Sequence, residues 1–411
     1  MKIGQVEITK EDFETARWIV AEAFGRLHVP KNIKNRIGIV IAIKTENDYE
    51  KNRLRNDLIQ ELHQSLQASQ IAELFNVIEF PQQLAEKIND HQKALLYLKR
   101  ARGHLIVHGQ LVQRDIDNKQ NHVFKLFGLV RHRPVSHEVH DQFTKEFNEL
   151  LPNRYSFPED KEVLGFEFTN QWLSQVIKYI IAIAAFISGD INLAYRIFSE
   201  LKEEVDRLPH SDSVPILSEI KKRIPIRLVE VISVILQRQN FIYTHSRDKQ
   251  QLMTAESYVQ EILAIDPTNY QGLLLQAIID FFRNDIDKAI HEFDGMNVND
   301  ATWHYSLGFL LAYQGDIIGA LEHYRKTFYL ETSANVVNDI DIFITEVLQE
   351  RPEKIQLYFF RGEINYKAKP DYTLAKQDFE TFLQNSQSSQ YPQLVTLAKK
   401  YLSEIELHLG R

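Results

Sequence analysis

The chain has no cysteine among its 411 residues. That single absence excludes disulfides, thiolate–metal sites and a cysteine nucleophile, and it fits a reducing cytoplasm. Long apolar runs are missing as well. The most apolar segment, Tyr179 to Ile187, is bracketed by Lys178 and Asp190. It falls well short of the ~20 residues that cross a bilayer, and reads instead as a helix buried on most sides. Met1 to Glu7 lack the apolar core of a secretion signal. Nor is there an excess of positive charge. Lys and Arg number 48 against 56 Asp and Glu, a formal net charge of −8. This argues against a general nucleic-acid binder, although local basic patches stay open. With 25% charged and 44% hydrophobic residues, the expectation is a soluble cytoplasmic protein of two or three domains without membrane insertion.

Signatures of catalysis are also absent. There is no GxxxxGK[ST] phosphate loop, no GxGxxG turn after a strand, no GxSxG elbow, no HExxH helix and no EF-hand loop. Glu46, Asp48, Glu50 and Lys51 could be assembled into a metal-dependent nuclease site. Their better reading is the polar first turn of a helix, where acidic side chains complement the dipole. The expectation is a protein that is not an enzyme and carries no cofactor and no metal.

The first part alternates strands and helices. Residues 10–26 have helical spacing in Phe13, Trp18, Ile19, Ala23 and Phe24. Arg36 to Lys44 is a continuous β-branched run, the mark of a strand covered on both faces. Residues 48–68 place Leu54, Leu58, Leu62 and Leu66 on one helical stripe. Asn76 to Phe80 reads as a second strand, and Pro81 opens a helix running to about Lys99. Strands follow at 103–114 and 121–130, with Asp115 to Gln120 as the hairpin loop. This order gives an α/β sandwich with a mixed sheet, parallel in part with an antiparallel edge. It ends near Pro152, and 153–165 reads as a linker. From 166 to 411 the pattern is helical: a helix from Gln171 to Ser188, a turn at Gly189-Asp190, a return helix through Ala194 and Phe198, and a pair at 223–265 closed by Asp266-Pro267.

Small and aromatic residues recur in this second part. Ala255 is followed at i+4 by Val259, Ala289 by Phe293, Ala320 by Tyr324 and Ala375 by Phe379, and Ala255 lies 34 residues before Ala289. Residues 269–297 carry Ala277, Asn284-Asp285, Ala289 and Phe293, while 301–331 carry Leu307-Gly308, Gly315-Asp316, Ala320 and Tyr324. A unit at 354–384 has Tyr358, Gly362, Ala375 and Phe379, with one inserted residue around Pro370. Small residues let neighbouring helices approach, and the ring fills the hole between them. This pattern resembles the tetratricopeptide repeat. The spacing from Ala320 to Ala375 is too long for one repeat, so 336–350 is expected to insert a helix.

The resemblance implies an α+β multidomain protein whose all-α part is a tetratricopeptide-like superhelix with a concave groove. Matched position by position, the groove would be lined by Gln271, Leu274, Ile278, Phe281 and Phe282, then Thr302, Tyr305, Phe309, Ala312 and Tyr313, and finally Gln356, Phe359, Glu363, Tyr366 and Lys367. Such aromatic lining suits a partner protein segment, or the same chain in self-association. The implied function is a non-catalytic interaction scaffold. Separately, Lys99 to Arg114, with His108-Gly109 at its centre, is similar to a strand of TolB-type N-terminal domains, which precede tetratricopeptide arrays in bacterial signalling proteins. The alternative function is therefore a ligand-sensing regulator whose α/β domain binds a nucleotide or other small anion. Candidate residues are Arg100, Arg102, His104, His108, Arg131 and Arg133. His104 and His108 are expected on one strand face. With His122, His132, His137 and His140 they form a histidine-rich stretch that could also be surface histidines.

Overall fold

Nine consecutive residues from Ile37 to Thr45 form an interior strand of the first part, and seven of them are buried. The computed structural model describes residues 2–3, 6–7, 29–45, 49–116, 119–131, 145, 155–158, 162–208, 215–294, 296, 298–330 and 332–410, with the backbone alone at 2–3, 6–7, 49–54, 58, 61, 112–116, 119–124, 155–158, 162–172 and 215. The helix expected at 10–26 lies outside the described residues. By internal contacts the chain divides into two units, Met1–Val231 and Ile232–Arg411.

In the first unit, Lys2–Ile3 (β1) pairs antiparallel with Val6–Glu7 (β2). A separate five-stranded sheet holds β3 (Ile37–Thr45), β4 (Phe75–Glu79), β5 (Leu105–Ile116), β6 (Lys119–Val130) and β7 (Tyr155–Pro158) in the order β4-β3-β5-β6-β7. β4, β3 and β5 run parallel, and β6 and β7 are antiparallel additions. The mixed sheet read from the sequence is thus present. Alternation along β3 explains its unbroken apolar run. Val40 and Ala42 join Ile78, Phe80, Ile106 and Leu129 in a core closed by α2 (Gln82–Ala85) and α3 (His91–Arg100), through Leu84, Ala94 and Leu98. Ile39, Ile41 and Ile43 are equally buried and occupy the opposite face of the strand. α1 (Tyr49–Gln67) packs on the sheet and buries Ile59, Leu62 and Leu66.

Three readings need correction here. The helix expected from Pro81 to Lys99 is two helices. Asp90 starts the second by accepting the backbone N–H of Lys93 at 2.7 Å, which interrupts the first. The hairpin loop is also shorter than expected, because Ile116 and Lys119 still pair across the ladder. Finally, the stretch read as a linker contains β7, whose backbone joins β6 from Asn121 to Phe124. Pro158 is tolerated there because β7 lies at the sheet edge.

Gly109 occupies a position in β5 opposite Leu126 where a Cβ would run into the backbone carbonyl of Lys125. Only glycine fits this approach of two strands. α4 (Glu162–Ile187) packs beside α1 and continues through Gly189, at φ +81°, into α5 (Ile191–Arg207), which Asp190 caps. Between α4 and α5, Lys178 is fully buried and meets Glu200 at 3.5 Å and Glu204 more closely. Glu200 also accepts from Ser69 and from the backbone N–H of Gln70 at 3.1 Å.

α6 (Pro215–Ser246) is one helix through Pro225, where a helix pair starting near 223 was expected. Proline removes one backbone donor, and Ile220, Ile224, Leu228, Val231 and Ile232, on one face either side of it, are buried, while Ile226 is exposed. In the second unit short helices follow: α7 (Lys249–Met253), α8 (Glu256–Ile265), α9 (Tyr270–Phe282), α10 (Ile286–Asp294), α11 (Ala301–Gln314), α12 (Ile317–Thr327), α13 (Ala334–Glu350), α14 (Gln356–Lys367), α15 (Tyr372–Asn385) and α16 (Pro392–Leu409). The additional helix expected at 336–350 is α13. Side chains of Asn269, Asp300, Asp316 and Asp371 cap α9, α11, α12 and α15, each accepting an otherwise orphaned N–H.

Sequence neighbours α9 and α10, α11 and α12, and α14 and α15 pack as pairs. A Cβ on Gly308 would come within 2.9 Å of the Tyr324 ring, and one on Gly362 within 2.9 Å of Phe379. Tyr324 and Phe379 are fully buried. The small-against-aromatic spacing seen in the sequence is therefore a direct contact between the two helices of a pair. Among the described residues, no helix is long and apolar enough to cross a membrane.

Candidate functional site

The second unit contains a cavity of about 420 Å³ lined by residues of α9, α11 and α13. Its apolar lining comes from Leu274, Ile278 and Phe281 of α9, Tyr305 and Phe309 of α11, and Ile340 and Phe343 of α13. Asn240, Thr244, Gln271, Thr302, Ser306 and Asp339 supply amides, hydroxyls and a carboxylate around them. The end of α6 contributes Tyr243, and the residue just after it contributes Arg247. Such a volume with mixed lining is in the range that holds a small ligand or a large side chain.

Rings brace this site. Phe281 lies 5.3 Å from Phe309, 5.1 Å from Tyr313 and 5.6 Å from Phe343, all in tilted or edge-on geometries. Phe343 comes from the additional helix, so α13 places an aromatic against the helices that form the cavity. Arg247 holds a left-handed backbone, φ 57°, and its Nε is 3.3 Å from Glu346. Its Nη2 is buried without a hydrogen-bond partner. Burial pushes the nearby Tyr243 hydroxyl far above its ordinary range, so it stays protonated.

Of the residues matched to the groove, Gln271, Leu274, Ile278, Phe281, Thr302, Tyr305 and Phe309 meet at this cavity. The others are placed differently. Phe282 packs on Tyr243 and Phe343 and carries Lys249 over its ring at 4.8 Å. Tyr313 is buried under Lys354, whose ammonium sits 4.2 Å above the ring and donates to the Tyr313 carbonyl. Ala312 is buried, and its carbonyl accepts from Gln356. Phe359 is fully buried among Phe360, Phe379, Phe382 and Tyr401. Tyr366 donates to Glu404 at 2.7 Å, and Lys367 pairs with the fully buried Glu363 at 2.5 Å while lying over Tyr401. Tyr401 and Glu404 belong to α16. That helix covers the face of α14 which repeat matching alone would leave open.

The anion-site candidates also separate. Arg102, His104 and Arg131 line one cavity in the first unit. Arg100 instead lies over the Tyr97 ring at 5.5 Å. His104 precedes β5 and so does not share a strand face with His108 as expected. His108 is 8% exposed and stacks on Phe127 at 5.6 Å. Burial, with His91 adding to it, holds its pKa down at about 4. Arg133, His132, His137 and His140 lie outside the described residues, as does the side chain of His122. Among the described residues, no three metal-ligating side chains gather in one place. Glu46 and Asp48 of the nuclease reading fall outside them too, and Glu50 and Lys51 sit in the first turn of α1.

Sequence matching missed Arg247, Ser306, Ile340 and Phe343. Repeat matching reaches only the first helix of each pair, and three of these four residues lie on or beside elements outside the pairs. No protein-family model and no curated protein sequence matches the chain.

Proposed function

We propose that the second unit is a tetratricopeptide-like array acting as a non-catalytic interaction scaffold, and that the cavity lined by α9, α11 and α13 seats an apolar anchor side chain of a partner polypeptide. The cavity itself carries this reading. Much of its lining is aliphatic and aromatic, while the amides and hydroxyls of Asn240, Thr244, Gln271, Thr302 and Ser306 suit the N–H and C=O groups of a peptide backbone. Arg247 adds a buried donor in need of an acceptor. A carbonyl or carboxylate next to the anchor would relieve the cost of leaving that donor unpaired. The small-on-aromatic contacts of Gly308 with Tyr324 and Gly362 with Phe379 support the repeat assignment.

The test is selection of peptides from a random displayed library against the full chain, repeated with Ser306→Trp. Ser306 lines the cavity and is only partly buried, so the indole fills space without removing core. Enriched peptides should share an aromatic or large aliphatic anchor and bind the variant at least about tenfold more weakly. Equal capture by both proteins refutes the reading, and so does failure to enrich any motif. Should the native chain sediment as a dimer that Ser306→Trp dissociates, the occupant is a second copy of this chain.

A further inference from the structure

A second cavity, of about 610 Å³, lies in the first unit at the edge where β3 and β5 begin and β6 ends. One part of its wall is apolar, formed by Ile37, Leu74, Val130, Ile181, Ala184 and Leu193. Among the described residues, the lining also holds five cations, Lys34, Arg36, Arg102, Arg131 and Arg196, against one carboxylate, Asp190. In a chain of net charge −8, this is a local reversal of sign inside a hollow.

The cations are mounted on fixed backbone. Asn32 donates its N–H to Ala101 at 2.7 Å and its side-chain amide to the Arg36 carbonyl at 2.6 Å, which ties down the turn carrying Lys34. Arg131 donates its N–H to the His104 carbonyl at 2.7 Å and its Nη1 to Gly103 at 3.2 Å. His104 Nδ1 accepts the Gly38 N–H at 2.9 Å, so a neutral ring carries its hydrogen on Nε2 and presents a donor there. Arg196 is held by Glu73 at 3.0 Å. Arg102 follows α3 with φ 55°. Glycine adopts that conformation freely, whereas arginine does so only at a cost. An arginine kept at a helix end that favours glycine points to use of its side chain.

We propose that this cavity binds a small organic polyphosphate of the nucleotide class, with the guanidinium groups on the phosphates and the apolar wall against the organic part. Five cations exceed what a lone carboxylate or monoanion needs, and planar guanidinium forks match phosphate oxygens. A long nucleic-acid strand fits less well. It requires an extended basic track, whereas these charges converge on a hollow in an acidic chain. This inference is independent of the partner-binding reading of the second unit.

Titration calorimetry on the full chain at low salt tests it, with ATP, inorganic tripolyphosphate and a single-stranded oligonucleotide of about 20 nucleotides as probes. ATP should bind, and tripolyphosphate should bind more weakly because it lacks the organic part. Arg102→Gly should weaken ATP binding about tenfold while leaving the melting temperature unchanged or raised, since it removes the charge and the backbone cost together. Arg131→Gln should weaken binding similarly. Four results would overturn the proposal: no ATP binding, native affinity in Arg102→Gly, equal affinity for tripolyphosphate and ATP, or tighter binding of the oligonucleotide than of ATP.

Discussion

Replacing Lys178 with methionine removes a buried ammonium and keeps most of the side-chain volume. In the native first unit its Nζ serves Glu200 and Glu204 on α5, whose side chains are 7% and 22% exposed. Without it, two carboxylates remain close together in a poorly solvated place, with Ser69 and the Gln70 N–H as the other donors to Glu200. Breaking a buried pair from one side costs about 3–5 kcal/mol. Where amides exchange through opening of this region, that cost lowers protection by about two to three and a half orders of magnitude. Hydrogen-exchange mass spectrometry on peptides from 173–207 reads it directly, and it avoids treating a chain of two units as two-state. Acid should restore part of the loss. Burial already raises the Glu204 pKa despite the pull of Lys178, and loss of Lys178 raises it further. The folded state then binds more protons than the unfolded one, so stability rises as pH falls toward the ordinary carboxylate range. Adding Glu200→Gln and Glu204→Gln to the methionine variant should recover protection at neutral pH. Near-native protection in Lys178→Met alone, or a deficit that ignores pH, would refute this account of the α4–α5 contact.

Two further outcomes follow from the first unit. His108 has a folded pKa of about 4 against an ordinary 6.5, so between those values the unfolded chain binds more protons and stability declines as pH falls, by at most about 1.4 kcal/mol per pH unit. Exchange protection of β5 measured from pH 7 to 4 should show this slope, and His108→Leu should flatten it. Gly109→Ala should abolish protection across 105–130, because its Cβ meets the backbone of β6 rather than a movable side chain. Gly189→Ala is the control: its Cβ meets nothing within 4 Å, so only the left-handed backbone costs, about 1–2 kcal/mol. Comparable losses in both glycine variants would contradict the assigned strand pairing.

The fold was most legible where neighbours in sequence are neighbours in space. The run at Arg36 to Lys44 announced a strand covered on both faces, and Gly308 with Tyr324 announced a packed helix pair. What escaped depends on distant partners or on a single cap. β7 is four residues long and exists through its pairing with β6, which no local pattern in Tyr155 to Pro158 reveals. One carboxylate, Asp90, decides where the second helix after β4 begins. The same limit applies to the sites. Repeat matching found Leu274, Ile278, Phe281, Tyr305 and Phe309, but not that Tyr401 of α16 covers Phe359 and Tyr366. Arg102, His104 and Arg131 stood out in sequence, whereas Arg36 and Arg196 join them only through folding.

Arg102 and Arg247 share an oddity: each takes a left-handed backbone, and each borders a cavity. Propensity alone would put glycine in both places. A library screened purely for heat resistance should therefore drift to glycine at 102 and 247, and the hardier proteins so obtained would be blunted in both hollows. Engineers seeking a tougher version of this chain should hold these two arginines constant.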